Sequence, residues 1–145
     1  GLLTAVPWIA AAMGAATFPR LATSPRRCRT LLFFGLLTMA AGLLLASLAN
    51  SFIGLIGFSL TALMLFVVQS IIFVFPSSRL SGSALAAGLA FVTTCGLFGG
   101  FVGPSVMGLI EQTTGSTRNG LWIIAALLVC AALVSTRLRQ GQEQP

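Results

Sequence analysis

The chain alternates between long apolar runs and short polar connections. Five runs carry no charged residue and approach or exceed the roughly 20 residues that a helix needs to cross a bilayer. They are residues 1–18, 30–49, 52–75, 83–110 and 120–136. A backbone in lipid must satisfy its hydrogen bonds within its own segment, and these runs lack the alternate polar positions of a membrane β-strand. The pattern therefore predicts an all-α integral membrane protein with five transmembrane helices.

The connections between the runs are short and polar. The first, 18–29, contains Pro19 and Pro25, which we expect to prevent a helix from continuing through it. Beyond the last run the sequence is polar to its end. The predicted organisation is a transmembrane helical bundle over 1–136 followed by a cytoplasmic tail over 137–145.

The arginines orient this bundle. The first loop, the third loop and the tail lie on one side of the membrane and hold seven of the eight basic residues: Arg20, Arg26, Arg27, Arg29, Arg79, Arg137 and Arg139. The other side holds Arg118 alone. Because Arg is retained in cytoplasmic loops, the C-terminus is predicted to be cytoplasmic and the first span to enter from outside. Gly1 lies directly inside an apolar run, so we expect further residues upstream.

The composition excludes several classes of protein. Hydrophobic residues make up 57% of the chain, charged residues 7%, and the mean hydropathy is +1.02, whereas a soluble domain carries roughly 25% charged residues. The arginines lie between apolar runs and form no basic stripe, so no nucleic-acid partner is expected. Three cysteines without metal-ligand spacing and the lack of His predict no metal site and no cofactor. An enzyme is disfavoured, since paired carboxylates are also missing.

The five runs contain no ionisable side chain. Proton relays in membranes are built from acidic or His residues within the spans. These residues alone therefore cannot complete a proton-coupled mechanism, and Glu111 and Glu143 lie outside the runs.

The fourth run carries overlapping pairs of small residues four positions apart. Such pairs allow two helix backbones to approach closely. A proline further along the run removes a backbone hydrogen bond and is expected to bend the helix. The predicted packing and hinge residues are Gly96, Gly99, Gly100, Gly103 and Pro104. Close packing and bending during transport are compatible interpretations of this segment.

A few polar or aromatic side chains in the runs are candidates for a substrate pathway. Gln69 lies among bulky apolar residues, so its amide is expected to face a neighbouring helix or a wet cavity. Thr93 and Thr94 can line a pathway or bond back to their own helix. Trp8 and Trp122 lie near the outer ends of their runs, where an interfacial anchor is the simpler interpretation, more so for Trp122. The predicted pathway candidates are Gln69, Thr93, Thr94 and Trp8.

The stretch from Pro76 to Ser116 resembles the eleventh span of the major facilitator superfamily, and more narrowly the anion:cation symporter family of tartrate, glucarate, galactonate and phthalate permeases. The matching motifs are Pro76, Leu80–Gly82, Ala84–Ala90, GGFVGP at Gly99–Pro104, and Thr114–Ser116. The stretch Gly1–Ala11 resembles the eighth span, including Pro7. The five runs would then be spans eight to twelve of twelve.

The sequence departs from the family pattern at several positions. Thr23 stands about where the family carries an acid, and Phe73 where it favours Trp. Thr93 and Leu97 stand where the family often has Asn. Of these two, only Thr93 can hydrogen-bond.

The resemblance implies the C-terminal portion of a secondary transporter in a bacterial cytoplasmic membrane. The full-length form is expected to import a small organic anion, a sugar acid or dicarboxylate, with protons, by alternating access. The resemblance places the anion-binding and proton-carrying groups in the missing N-terminal half. Membrane lipid surrounds the chain in every interpretation. A small non-transporting membrane scaffold remains the alternative, and a small multidrug exporter is disfavoured because it needs an intramembrane Glu.

Overall fold

The computed structural model describes residues 2–22, 24–48 and 50–137. Five α-helices occur in these ranges: α1 (Val6–Thr17), α2 (Pro25–Ala46), α3 (Ser51–Ser77), α4 (Gly82–Thr114) and α5 (Thr117–Thr136). Two 3₁₀ turns, Leu2–Ala5 and Phe18–Leu21, flank α1, and the described ranges contain no strand. The all-α prediction is confirmed. All of the predicted tail except Arg137 lies outside the described residues, as does Thr23.

Four of the helices, α2 to α5, are long and apolar enough to cross a membrane. The first predicted span, 1–18, is α-helical only over the 12 residues of α1. At about 1.5 Å per residue this helix rises about 18 Å, less than the hydrocarbon thickness of about 30 Å. The remainder of that run within the described residues is 3₁₀ helix.

Local sequence explains where the helices begin and end. Ser24 has an extended backbone, and its hydroxyl accepts the N–H of Arg27 at 3.4 Å, capping α2. The Asn50 side chain accepts the N–H of Phe52 at 2.9 Å where α3 begins. At the end of α4, Gly115 takes a left-handed conformation with φ of 67°, which glycine adopts without strain.

Backbone contacts divide the chain into two units, residues 1–71 with 121–145, and residues 72–120. In the first unit α2 presents an apolar face at helical spacing to the core. The buried hydrophobic side chains of this unit come from four helices: Ala11, Cys28, Leu32, Leu36, Met39, Ala40, Leu43, Val67, Val68, Ile71, Ala125 and Ala132. Because lipid is as apolar as this core, the face stabilises the unit through van der Waals contact between side chains and not by leaving water.

The second unit contains the end of α3 and all of α4. Within α4 no residue is buried. Near the start of α4, Gly88 lies against the side chains of Leu80 and Pro76. The 33 residues of α4 rise about 50 Å, enough to cross a bilayer and extend beyond it.

Candidate functional site

A groove of about 440 Å³ runs between α1 and α3 in the first unit. Its described lining is Leu3, Pro7, Trp8, Ala11, Leu55, Phe58, Thr61, Ala62, Leu65 and Phe66. Thr61 contributes the one hydroxyl to this lining. An anion placed here would lose its hydration without gaining charged or amide partners, which costs several kcal/mol (about 2–7 even for a neutral polar group). The groove is therefore suited to an apolar occupant.

The two helices that border the groove, α1 and α3, approach each other closely at Gly14. A methyl group added at Gly14 would overlap the backbone carbonyl of Leu63. Only glycine permits this approach, because any side chain there would push the two helices apart. The groove thus lies between two helices whose mutual position is fixed by a close crossing.

Trp8, a predicted pathway residue, forms part of the groove wall. Its side chain is 69% exposed. Its lining neighbours Phe58 and Phe66 are also exposed, with relative accessibilities of 46% and 37%. The structure thus places Trp8 beside aromatic side chains rather than beside polar groups.

Gln69 lies on the exposed side of α3. It follows Leu65 by four positions and Phe66 by three, so it continues the face of α3 that lines the groove. Its amide makes no hydrogen bond with any residue that the structure describes. The structure therefore brings Trp8 and Gln69 to the same side of the α1–α3 pair, with Gln69 beyond the groove lining.

Thr93 and Thr94 lie near the middle of α4 in the second unit, and both are exposed. Their hydroxyls donate to carbonyl oxygens of their own helix: Thr93 to Leu89 at 2.9 Å and Thr94 to Ala90 at 2.8 Å. Each hydroxyl oxygen keeps lone pairs that can accept a hydrogen bond. Each hydroxyl must leave its carbonyl before it can donate to an anion.

Among the residues that the structure describes, none lies close to the predicted glycine seam of α4. A methyl group added at Gly96, Gly99, Gly100 or Gly103 would meet no heavy atom within 4 Å. Pro104 lies inside the helix, which continues past it to Thr114. Close packing of these residues against another helix, and bending at Pro104, stay predictions.

The predicted cytoplasmic-loop arginines occupy two different elements. Arg20 lies in the 3₁₀ turn after α1, and Arg26 and Arg27 lie in the first turn of α2 rather than in a loop. This differs from the expectation because Pro25 is at the start of the helix, a position that tolerates its missing N–H. All three arginines are exposed.

A second glycine crossing, between α2 and α3, was not predicted from the sequence. A methyl group at Gly57 would lie 2.6 Å from the backbone nitrogen of Ala46, and one at Gly42 would lie 2.6 Å from the carbonyl oxygen of Gly57. The Thr61 hydroxyl lies 3.2 Å from the carbonyl oxygen of Met39 across this crossing. Gly42 and Ala46 are small residues four positions apart, and this signal could have indicated the crossing.

Among the described residues, no group of His, Cys, Asp or Glu side chains could hold a metal ion. Cys28, Cys95 and Cys130 are free thiols. Within the apolar runs, which contain no charged residue, the polar side chains available to a ligand are mainly hydroxyl and amide groups.

Sequence comparison relates the chain to bacterial membrane transport proteins. It is 32% identical over 138 residues to the inner membrane transport protein RhmT of Escherichia coli K12, an alignment that covers 95% of this chain and 32% of RhmT. It is 42% identical over 100 residues to a putative tartrate transporter of Agrobacterium vitis, covering 68% of this chain and 23% of that protein. A second putative tartrate transporter of the same organism is 39% identical over 106 residues, covering 72% and 24%.

The chain thus spans about a third or less of the length of these curated relatives. No protein-family model matches the chain. No solved structure matches it either.

Proposed function

Because this chain belongs to the major facilitator type of membrane transport proteins, we propose that it is the C-terminal portion of a secondary transporter. The observation that carries the proposal is the similarity to RhmT over 95% of the chain. The four long apolar helices suit this role. In such transporters two helical halves move around a central site, so that the site opens alternately to each side of the membrane.

The proposed substrate is a small organic anion, a sugar acid or dicarboxylate, taken up with protons across a bacterial cytoplasmic membrane. Two relatives are described as putative tartrate transporters, and the resemblance of residues 76–116 to anion:cation symporters supports the same class. The proposed orientation has a cytoplasmic C-terminus. It is supported by seven arginines on one side of the membrane and one on the other.

Thr93 and Thr94 are the proposed contributions of α4 to the substrate pathway. Their hydroxyls are exposed at mid-helix and can switch from their own carbonyls to a passing anion. Trp8 and Gln69 lie instead along the groove face, whose apolar lining suits a helix better than an anion. The groups that bind the anion's charge and carry protons are assigned to the rest of the transporter, since the apolar runs lack them.

A chimeric transporter tests the proposal. The 138-residue segment of RhmT that aligns with this chain is replaced by the chain itself, and uptake of radiolabelled tartrate and a panel of sugar acids is measured in cells without endogenous uptake. We expect uptake that a protonophore abolishes. Thr93→Val should reduce uptake, whereas Thr93→Ser, which keeps the hydroxyl, should retain it.

Intact RhmT assayed in the same cells is the positive control. A chimera that is inserted at normal levels but transports none of the panel would contradict the proposed function. Uptake that is insensitive to the protonophore would contradict proton coupling alone.

A further inference from the structure

The apolar face between α1 and α3 has the repeat of a helix-packing surface. Four of the six groove residues of α3 recur at alternating intervals of three and four positions: Leu55, Phe58, Ala62 and Leu65. The other two, Thr61 and Phe66, lie beside this stripe. This is the heptad spacing with which one helix receives the side chains of another. On the other side of the groove the lining residues Leu3, in the 3₁₀ turn before α1, and Pro7 and Ala11, on α1, are four positions apart. A groove bordered by two helices with these repeats has the form that accepts a third helix.

The heptad stripe of α3 has Gln69 at its next position, four residues after Leu65. Its side chain is exposed, and its amide has no partner among the described residues. A single amide at a seam position in an apolar helix interface selects a partner that offers a hydrogen-bonding group opposite to it. The exposed amide therefore adds a requirement for one polar group to an otherwise apolar surface.

From these observations we propose that the α1–α3 groove is the docking surface for an apolar transmembrane helix that carries a polar residue opposite Gln69. The helix is assigned to the part of the transporter beyond this chain, and in this respect the inference rests on the proposed function. RhmT, of which this chain matches 32%, has the additional length to supply such a helix. Trp8 and Phe58 then become buried side chains of a three-helix contact.

Site-specific photocrosslinking tests the docking surface. The chain is co-expressed with a tagged polypeptide that contains the part of RhmT outside the aligned segment. Phe58 is replaced by the photoreactive residue p-benzoylphenylalanine. The matched control places the same residue at Ile56, which is 50% exposed on α3 but lies outside the groove lining. We expect an adduct with the RhmT polypeptide from position 58 and none from position 56.

The amide is tested in the same system. Gln69→Leu should reduce the adduct from position 58 about threefold, the effect of an average hydrogen bond between membrane helices. Gln69→Asn should restore part of it. The control Ser70→Ala removes a hydroxyl that bonds to Phe66 of its own helix at 2.7 Å and should leave the adduct unchanged.

Other adducts at position 58 overturn the proposal. Adducts with lipid alone would assign the groove to acyl chains, and adducts between two copies of this chain would assign it to self-association. An adduct without uptake in the chimera would contradict the proposed transport while supporting helix docking. Uptake without the adduct would contradict docking while supporting transport.

Discussion

The indole N–H of Trp122 donates a hydrogen bond to the hydroxyl oxygen of Ser47, with 2.9 Å between the two heavy atoms. The contact joins α5 to the end of α2 across 75 positions of sequence. Ser47 is only 8% exposed, and its hydroxyl donates to the carbonyl oxygen of Leu44 at 2.7 Å. Trp122 thus connects two helices, in addition to any role at the membrane interface.

Trp122→Phe should lower the free energy of unfolding by about 1 kcal/mol, the net contribution of a typical hydrogen bond. The substitution keeps an aromatic ring but removes the N–H. Unfolding in mild detergent with increasing dodecyl sulfate measures the change. Trp8→Phe is the matched control, since its indole is 69% exposed, and it should be near neutral. In the Ser47→Ala variant, Trp122→Phe should lower the free energy of unfolding by less than it does in the parent chain. Equal losses in the parent chain and in Ser47→Ala would contradict the contact.

The same substitution is expected to have different effects at Gly57, which lies at the α2–α3 crossing, and at Gly100 of α4, which lies at none. Gly57→Ala places a methyl group 2.6 Å from the Ala46 backbone nitrogen, and this backbone cannot rotate away as a side chain can. We expect a loss of about 1–3 kcal/mol, typical of overpacking. Gly100→Ala meets no atom within 4 Å and should be neutral or slightly stabilising in this chain alone, because alanine favours helix.

The yield of folded protein in mild detergent compares these two variants. Equal losses would mean that the α2–α3 crossing is not a close contact. In the chimera with RhmT, Gly100→Leu should reduce the folded yield more than Leu97→Ala, if α4 there packs against another helix as predicted. An unchanged yield for Gly100→Leu would mean that its seam faces lipid.

The helical architecture could be predicted from the sequence because apolar run length alone determines it. The helices α2 to α5 correspond to the predicted runs 30–49, 52–75, 83–110 and 120–136, and their ends differ from these by a few residues. The extension of α2 back to Pro25 was missed, because a proline that ends one helix is equally tolerated at the start of the next.

Tertiary contacts were less accessible to sequence analysis. Nothing in the apolar runs indicates that Trp122 is paired with Ser47 or that Gly14 lies against Leu63, because these contacts depend on how the helices are arranged. For α4 the sequence predicts a packing seam, yet α4 has no buried residue in this chain. A packing seam can be recognised in one helix, but its partner cannot.

The arginine distribution predicts the membrane topology. A reporter fused after Arg139 should be cytoplasmic, and one inserted near Gly115 should be periplasmic, since Arg is retained on the cytoplasmic side seven to one. Alkaline phosphatase and green fluorescent protein fusions measure the two locations. Replacing Arg26 and Arg27 with Gln should weaken this bias and produce a mixture of orientations. The reverse pattern in the parent chain would contradict the arrangement of all the spans.

This chain expressed alone should show no proton-coupled uptake of tartrate, glucarate, galactonate or phthalate. Coupling requires a group that gains and loses a proton inside the membrane, and the apolar runs contain no acidic residue, Lys or His. Glu111 lies in the last turn of α4, where its carboxylate accepts a hydrogen bond from Thr117 at 2.9 Å. This position is near a helix end, roughly half a membrane thickness, or about 15 Å, from a midplane site.

Proteoliposomes that contain only this chain, with a proton gradient imposed, provide the measurement, and the RhmT chimera is the positive control. Uptake above that of empty liposomes would require a coupling group among the hydroxyl and amide side chains, and it would contradict the assignment of this chain as one part of a larger transporter.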